Sequence, residues 1–386
     1  MHSSASSHGW YSGGRVSSAA LLTAAAVAMV VSAAGCGSSG NQATGSGGTS
    51  SGVITIGTSF KTNSAAIYIA EKAGYFKDAG LNVKVVDTSA LSSSDFTSAF
   101  FGGTYDFINA PASTAMIADS AAGGDRMTAV MQMDLGSHDQ IALSKTAAES
   151  AHLPAGNGSA STSLAQLKDL QAAHITAAVT SLTSIAYIDL VAACSANGVT
   201  CKPNSSGANV DVVTVGSPGT QVAGLAAGKF SAIVAGPPTT TQPGATTIDL
   251  GQIAPVSSAV NDYLIASPTF VAQQAGTVQA VVNAISRAWA WAQSHPAQAE
   301  QLCQPMYKET GVTSTAEMQQ LYSGAARYWG APVPSQVPFQ ATEQLGDLAQ
   351  PSKLKLTFAQ FANPSFEAKA EASYKIRVPS PTPSGQ

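Results

Sequence analysis

The residues of this chain that could handle a small molecule are hydroxyls and amides gathered in four short stretches. These are TSFKTNS from Thr58, NAPAS from Asn109, TSLTS from Thr180 and GPP from Gly236. Ser59, Asn63, Ser64 and Ser113 stand in the first two, and Thr180, Ser181, Thr183 and Ser184 in the third. Lys61 is the one charged side chain among them, and its simplest use is a solvated one. Helices that begin at such loops aim their first N–H groups and a partial positive charge outward. That arrangement holds a carboxylate, sulfonate or phosphate without an arginine. Phe60 can pack on an apolar part of the same ligand, and GSPGT from Gly216 is a lesser loop of the same kind. Each Ser and Thr here also has an ordinary use as a helix cap.

Catalytic chemistry finds less support. There is no GxSxG elbow, no HExxH, no GxxxxGK[ST] loop and no GxGxxG after a strand. His138, His152, His174 and His295 are scattered, without a neighbouring acid or nucleophile motif. A zinc site needs about four clustered ligands, and none are clustered here. We therefore expect no catalytic residue, no metal and no cofactor. Cys194 and Cys201 bracket SANGVT at a helix end; in an exported chain this spacing predicts a local disulfide, with two buried thiols as the alternative. Cys303 lies in a helical segment and reads as a small buried hydrophobe.

The elements that must position these loops are clearest from Val53 to Asp106. Val53, Ile54 and Ile56 make a strand closed by Gly57. Ala65, Ile67, Ile69, Ala70 and Ala73 give a small helix, Leu81–Val86 a second strand, Ser92–Ser94 the cap of a second helix, and Tyr105–Ile108 a third strand. Pro111 suits the first turn of a helix through Ala121, and Met127–Met133 is a fourth strand. Gln140–Ser144 reads as an antiparallel strand leaving this half, and Thr146–Thr162 as a loop. A second cycle follows: a helix around Leu164, Leu167 and Leu170, strands at Ile175–Val179 and Val210–Val215, a helix at Ile185–Ala193, another at Gln221–Ala227, and short strands at Ala232–Ala235 and Thr247–Leu250. Asp262–Ala266 returns the chain to the first half, and the remainder is helical, with Val278, Val281, Val282, Ile285, Trp289 and Ala292 at helix spacing. Strands alternating with helices predict an α/β fold with right-handed crossovers and mostly parallel sheets.

With 386 residues the chain can build two lobes. Charged residues are 10% and the net charge is −4, so no basic patch exists to neutralise nucleic-acid phosphates. No apolar run reaches the length of a clear membrane span. Residues 1–35 read as a signal peptide, with Arg15 ahead of an apolar stretch from Ala19 to Ala34. The AAGC ending at Cys36 resembles a bacterial lipoprotein box, with Ala33 where leucine is commonest; the alternative is an ordinary signal and an incidental cysteine. Residues 36–52 are an uncharged Gly/Ser/Thr-rich tether that suits a chain anchored at Cys36. Residues 379–386 form a Pro/Ser-rich tail.

IYIAEKAGYFKDAGLNVKVV followed by AFFGGTYDFINAPAS resembles the solute-binding proteins of ABC importers for nitrate, sulfonates, taurine and thiamine-precursor pyrimidines. SLAQLKDLQAAHITAAVTSLTS, VAGLAAGKFSAIVAGPP and FVAQQAGTVQAVVNAISRAWAWAQSHPAQAEQL continue the resemblance over most of Val53–Leu302. It implies the two-lobed periplasmic-binding-protein type II fold, two mostly parallel sheets flanked by helices and hinged by two crossing segments. Lobe I is expected at 53–144 and 252–378, and lobe II at 145–251. It implies ligand contacts from Asn109 and Pro237 at strand ends, a permease and its ATPase as partners, and a monomer held outside the membrane by its lipid. The expected ligand is a small organic anion or zwitterion. A thiamine-precursor pyrimidine, read by Phe60 and Asp134, stays open, as do an exported enzyme and a sensor on the same fold. The related pyrimidine-precursor synthases carry a cysteine-rich motif that this chain lacks.

Overall fold

In the computed structural model the described residues are 52–59, 64–153, 160–237, 239–242, 244–309, 333–350 and 354–374, with Thr315, Met318, Gln319 and Tyr322. The chain forms β1 (Ile54–Thr58), α1 (Ala65–Lys72), α2 (Tyr75–Asp78), β2 (Val83–Asp87), α3 (Ser93–Phe101), β3 (Phe107–Pro111), α4 (Ala112–Ala121) and β4 (Thr128–Leu135). It continues through β5 (Gln140–Leu143), α5 (Lys145–Ser150), α6 (Ala160–Asp169), β6 (Ile175–Val179), α7 (Ile185–Ala196), β7 (Cys201–Pro203), β8 (Val210–Thr214), α8 (Pro218–Ala226), β9 (Ala232–Ala235) and β10 (Thr246–Asp249). After β11 (Val260–Ala266) the named elements among the described residues are helices: α9 (Pro268–Gln273), α10 (Ala275–Ser294), α11 (Pro296–Glu309), α12 (Gln336–Ala349), α13 (Phe358–Phe361) and α14 (Ser365–Tyr374).

The strands build two sheets, one of five strands ordered β2-β1-β3-β11-β4 and one of six ordered β10-β5-β9-β6-β8-β7. Both are mixed but mostly parallel in direction: β4 runs with β1–β3 and β10 with β6–β9, and one strand in each sheet, β11 and β5, runs against the rest. β1, β2 and β3 run together, as do β6, β7, β8 and β9, whereas β11, β5 and β10 pair antiparallel to their neighbours. The reason is where the chain crosses. It leaves β4 at the carboxyl edge of the first sheet and enters the second through β5 at that sheet's carboxyl edge, so β5 must run backwards. β10 ends at the same edge, and β11 re-enters the first sheet backwards for the same reason. β5 thus belongs to the six-stranded sheet, ahead of the lobe boundary expected after Ser144.

Each sheet is covered because its strands are apolar on both faces. Ile54, Ile56, Phe107, Met131 and Leu264 pack under α1, α10 and α11, where Val278, Val281, Val282, Ile285 and Trp289 form the buried stripe that the helical spacing requires. On the opposite face, Ile108, Ala110, Tyr263 and Ile265 meet Met116 of α4 and Phe339 and Leu345 of α12. That same apolar cluster runs on without interruption into Ile188 and Leu190 of α7 and Ile175 and Val210 of the second sheet. Helix α12 makes the junction, since it packs on α7 as well as on α4 and β11. Its apolar face was not singled out in the sequence.

Helix starts follow the chemistry of their caps. Ser92, Ser144, Ser184, Ser217 and Ser267 each accept a bond from the backbone N–H three residues on, and Thr357 with Gln360 forms a capping box. Each such cap stabilises its helix by about 1 kcal/mol. Ser144 is why Lys145–Ser150 is helical where the sequence suggested a loop. Cys194 and Cys201 are joined by a disulfide whose Cα atoms are 6.1 Å apart, tying the end of α7 to β7. Cys303 is fully buried, which pushes its thiol up to about 12.

Candidate functional site

The parallel register of β1 and β3 pairs Gly57 with Ile108 and so brings Thr58 level with Asn109 at the carboxyl edge. A line of hydrogen bonds follows. Asn109 Nδ2 donates to Thr58 Oγ1 at 3.3 Å, Thr58 Oγ1 and Ser64 Oγ are 2.8 Å apart, and Ser64 Oγ donates to the backbone carbonyl of Ser59. Ser64 is the N-cap residue of α1, yet its side chain does not cap the helix: its backbone is already helical (φ −88°, ψ −4°) rather than extended, and its hydroxyl turns to Ser59. Next along β3, Pro111 sits at the N-cap of α4, one residue before the first turn where it was expected, and offers no side-chain cap. The first N–H groups of α4 thus open at this edge. Asn109 is 3% exposed and Ser113 1%, and neither Asn109 Oδ1 nor Ser113 Oγ has a hydrogen-bond partner. Buried polar atoms left this way are rare and ask for an explanation.

The edge of the second sheet is arranged differently. Ser184 Oγ accepts from Tyr187 N at 3.3 Å and donates to Ser181 O at 2.8 Å. Ser181 Oγ lies 3.2 Å from Thr183 Oγ1 and accepts from Thr183 N. Thr180 O accepts from Gly216 N. Beyond β9, Gly236 O accepts from Thr239 N, with half-buried Pro237 between them. From α8, buried Gln221 donates Nε2 to Ala178 O at 2.8 Å and Val234 O at 3.0 Å, bracing β6 against β9. The GSPGT stretch is spent on starting α8, whose cap is Ser217.

The two edges touch. Thr114 Oγ1 of α4 donates to Thr183 O at 3.1 Å, and Gln350 Nε2, just past α12, donates to Leu182 O at 3.2 Å. The crossings meet as well. A Cβ at Gly251 would fall 1.9 Å from Ser137 O, so only glycine allows that approach.

Between the crossings lies a buried acid cluster formed by Asp134, Asp139, Asp189 and Asp262. Asp134 at the end of β4 is fully engaged: Oδ1 accepts from Asp262 N at 3.0 Å, and Oδ2 accepts from His138 Nε2 at 2.8 Å and Asn261 Nδ2 at 3.1 Å. Both of its oxygens, which a pyrimidine reading would use, are thus bonded within the chain. Burial disfavours the His138 imidazolium, but the hydrogen bond and charge of Asp134, with Asp262 and Asp139 behind it, hold its pKa above the ordinary histidine value. Asp189, in the second turn of α7, is 1% exposed and its Oδ2 has no hydrogen-bond partner. Burial, then the charge of Asp139, raise its pKa well above the usual carboxylate range, against a lowering hydrogen bond from Ser137. Among the described residues no group of three or more His, Cys, Asp or Glu has the geometry to hold a metal ion. A groove of about 700 Å3 lies at the opposite end of β4, lined by Thr128, Pro268, Val271 and Phe366, and shares no residue with either carboxyl edge.

Of the residues expected to meet a ligand, Ser59, Ser64, Asn109 and Ser113 gather at the first edge, and Thr180, Ser181, Thr183, Ser184 and Pro237 at the second. Phe60, Lys61 and Asn63 lie outside the described residues, as do Cys36, the signal stretch, the tether and the tail. The sequence reading missed Thr58, Thr114, Asp139, Asp189, Gln221 and Asp262. Asp189 carried a signal, as the one acid inside the apolar run IAYIDLVAAC.

Residues 48–306 match the model of the NMT1-like family. Among solved structures, the ligand-binding component of an ABC-type import system from Staphylococcus aureus, with zinc bound, is similar at 16% identity and a TM-score of 0.62, over 82% of this chain and 98% of that one. The periplasmic aliphatic sulphonate-binding protein SsuA from Escherichia coli is similar at 14% identity and a TM-score of 0.57, over 77% and 86%. The periplasmic nitrate-binding protein NrtA from Synechocystis is similar at 14% identity and a TM-score of 0.55, over 85% and 92%. At these identities the likeness fixes the fold: two lobes of the periplasmic-binding-protein type. No curated protein matches the chain.

Proposed function

The chain belongs to the NMT1-like family, and from that premise we propose that it is the extracytoplasmic substrate-binding protein of an ABC importer and not an enzyme. It captures a small organic anion or zwitterion between the carboxyl edges of its two sheets and delivers it to a permease driven by a cytoplasmic ATPase. One observation carries the reading. Two polar side chains, Asn109 and Ser113, are buried at the meeting of the two edges with atoms that no described residue satisfies. Such atoms are expensive to leave unmade, on the order of 1–3 kcal/mol each, unless a ligand completes them. The uncapped start of α4 beside them suits the anionic end of that ligand. Chain crossings at the same edge suit closure around it, with the ligand shifting an open–closed equilibrium.

Anchoring belongs to the same proposal. Cys36 is the lipidation site, residues 37–52 the tether, and the mature protein works as a monomer on the outer face of the membrane. Among the described residues no helix is long and apolar enough to cross one. The test is a thermal-shift screen of sulfonates, taurine, nitrate, bicarbonate and pyrimidine precursors. A ligand at a hundredfold over its Kd adds about 2.7 kcal/mol, visible as several degrees in Tm. A stabilising anion or zwitterion fits the reading, stabilisation by pyrimidines alone moves it to precursor uptake, and silence across the panel removes small-ligand capture of this kind.

A further inference from the structure

The hydrogen bonds at the first edge have a direction, and the direction specifies the ligand. Ser59 O is a carbonyl and only accepts, so the single proton of Ser64 Oγ lies toward it. Ser64 can then only accept from Thr58 Oγ1 at 2.8 Å, which uses the single proton of Thr58. Thr58 can then only accept from Asn109, so the Asn109 amide must present Nδ2 to it, as observed at 3.3 Å. Rotating the amide by half a turn would set two acceptors against each other. The orientation of the Asn109 amide is therefore fixed by its neighbours. What remains is Oδ1, an acceptor, buried and without a partner.

Asp189 Oδ2, contributed from α7, is also buried without a hydrogen-bond partner, but this carboxyl keeps its proton and so is not a bare acceptor. Asp262 links the two positions. Its partner in β3 is Pro111, two residues beyond Asn109 on the same face of the sheet, and its charge acts on Asp189. Asn109 Oδ1 is thus the acceptor at the first edge whose lone pairs no described residue meets.

We infer that the ligand carries an N–H donor, as an amine or ammonium group beside its anionic end, and that Asn109 is the residue that selects for it. The inference rests on the proposed capture of a small anion or zwitterion, and it chooses the zwitterion. A nitrate or a plain alkanesulfonate would face Asn109 Oδ1 with a further acceptor.

Calorimetric titration of the full chain with matched pairs tests this. The pairs are 2-aminoethanesulfonate against ethanesulfonate and 3-aminopropionate against propionate, with nitrate alongside. The amine member should bind about ten- to a hundredfold more tightly, the worth of one buried hydrogen bond to a fixed acceptor. Asn109→Leu should abolish that preference. Thr58→Val, which frees the amide to turn, should narrow it while improving the donor-less member, and this variant keeps the test open where Asn109→Leu fails to fold. Equal or tighter binding of the donor-less members, or a preference that survives both substitutions, overturns the inference and leaves the binding-protein reading standing. Absence of binding by every member overturns both.

Discussion

The two carboxyl edges are built from the same kinds of residue and put them to opposite use. In the six-stranded sheet, TSLTS closes on itself: Ser184 caps α7, Ser181 ties the turn, and Gln221 seals the strand ends behind it. In the five-stranded sheet, Thr58, Ser64 and Asn109 pass their donors away from the edge and leave an acceptor at its end. Residue type therefore does not separate a structural hydroxyl from one that binds; the direction in which its proton is spent does. Substitutions at the second edge should register in stability and leave ligand preference alone, and those at the first should do the reverse.

The largest effect should come from Gln221→Leu. It strips buried carbonyls of both β6 and β9 of their donor and should lower stability by about 3 kcal/mol, measured by urea unfolding, with ligand selectivity retained. A change of ligand preference in that variant would break the contrast between the edges. Replacing both Cys194 and Cys201 by alanine opens a loop with a sequence separation of 7. It should lower stability by about 2.5 kcal/mol, again without altering selectivity.

A smaller, pH-dependent effect belongs to the crossing between the edges. The folded-state pKa of Asp189 is raised, so the folded protein keeps a proton that the unfolded chain releases. Stability contributed by that proton is present below the ordinary value of 3.8 and is lost as pH rises above it. The limiting slope is about 1.4 kcal/mol per pH unit. Asp189→Asn should flatten the fall in stability as pH rises above 3.8, followed by urea midpoints; an unchanged slope would mean that the cluster takes up no proton on folding. The smallest effect is Ser184→Ala, which removes a cap and should lower stability by about 1 kcal/mol. A tenfold loss of ligand affinity in this variant would show that Ser184 binds as well as caps.

Much of this was legible in the sequence, and for identifiable reasons. β6 ends at Val179 as its apolar run does, and α10 follows the 3.6-residue spacing of Val278, Val281, Val282, Ile285 and Trp289. Ser, Asn and Pro at strand ends marked the loops that meet. What could not be read was sheet order, because β11 enters the first sheet from a distant part of the chain and its direction depends on where the crossing falls. The acid cluster was hidden for the same cause: Asp134, Asp139, Asp189 and Asp262 converge only once both crossings are in place. Thr58 escaped notice because its role is set by the proton of Ser64, which no spacing encodes.

Helix α12 has a bearing on speed. Phe339 and Leu345 sit in the continuous apolar cluster beneath both sheets, and Thr342 Oγ1 receives Val260 N at 2.9 Å where β11 begins. Parting the edges therefore means peeling a greasy helix from one side as well as flexing two thin straps. On the proposed capture between the edges, a molecule arriving from outside waits for that event, however often it collides. The observed rate of capture should climb with concentration only until it equals the rate of opening and then stay level, and the same barrier lengthens the time a captured molecule spends inside.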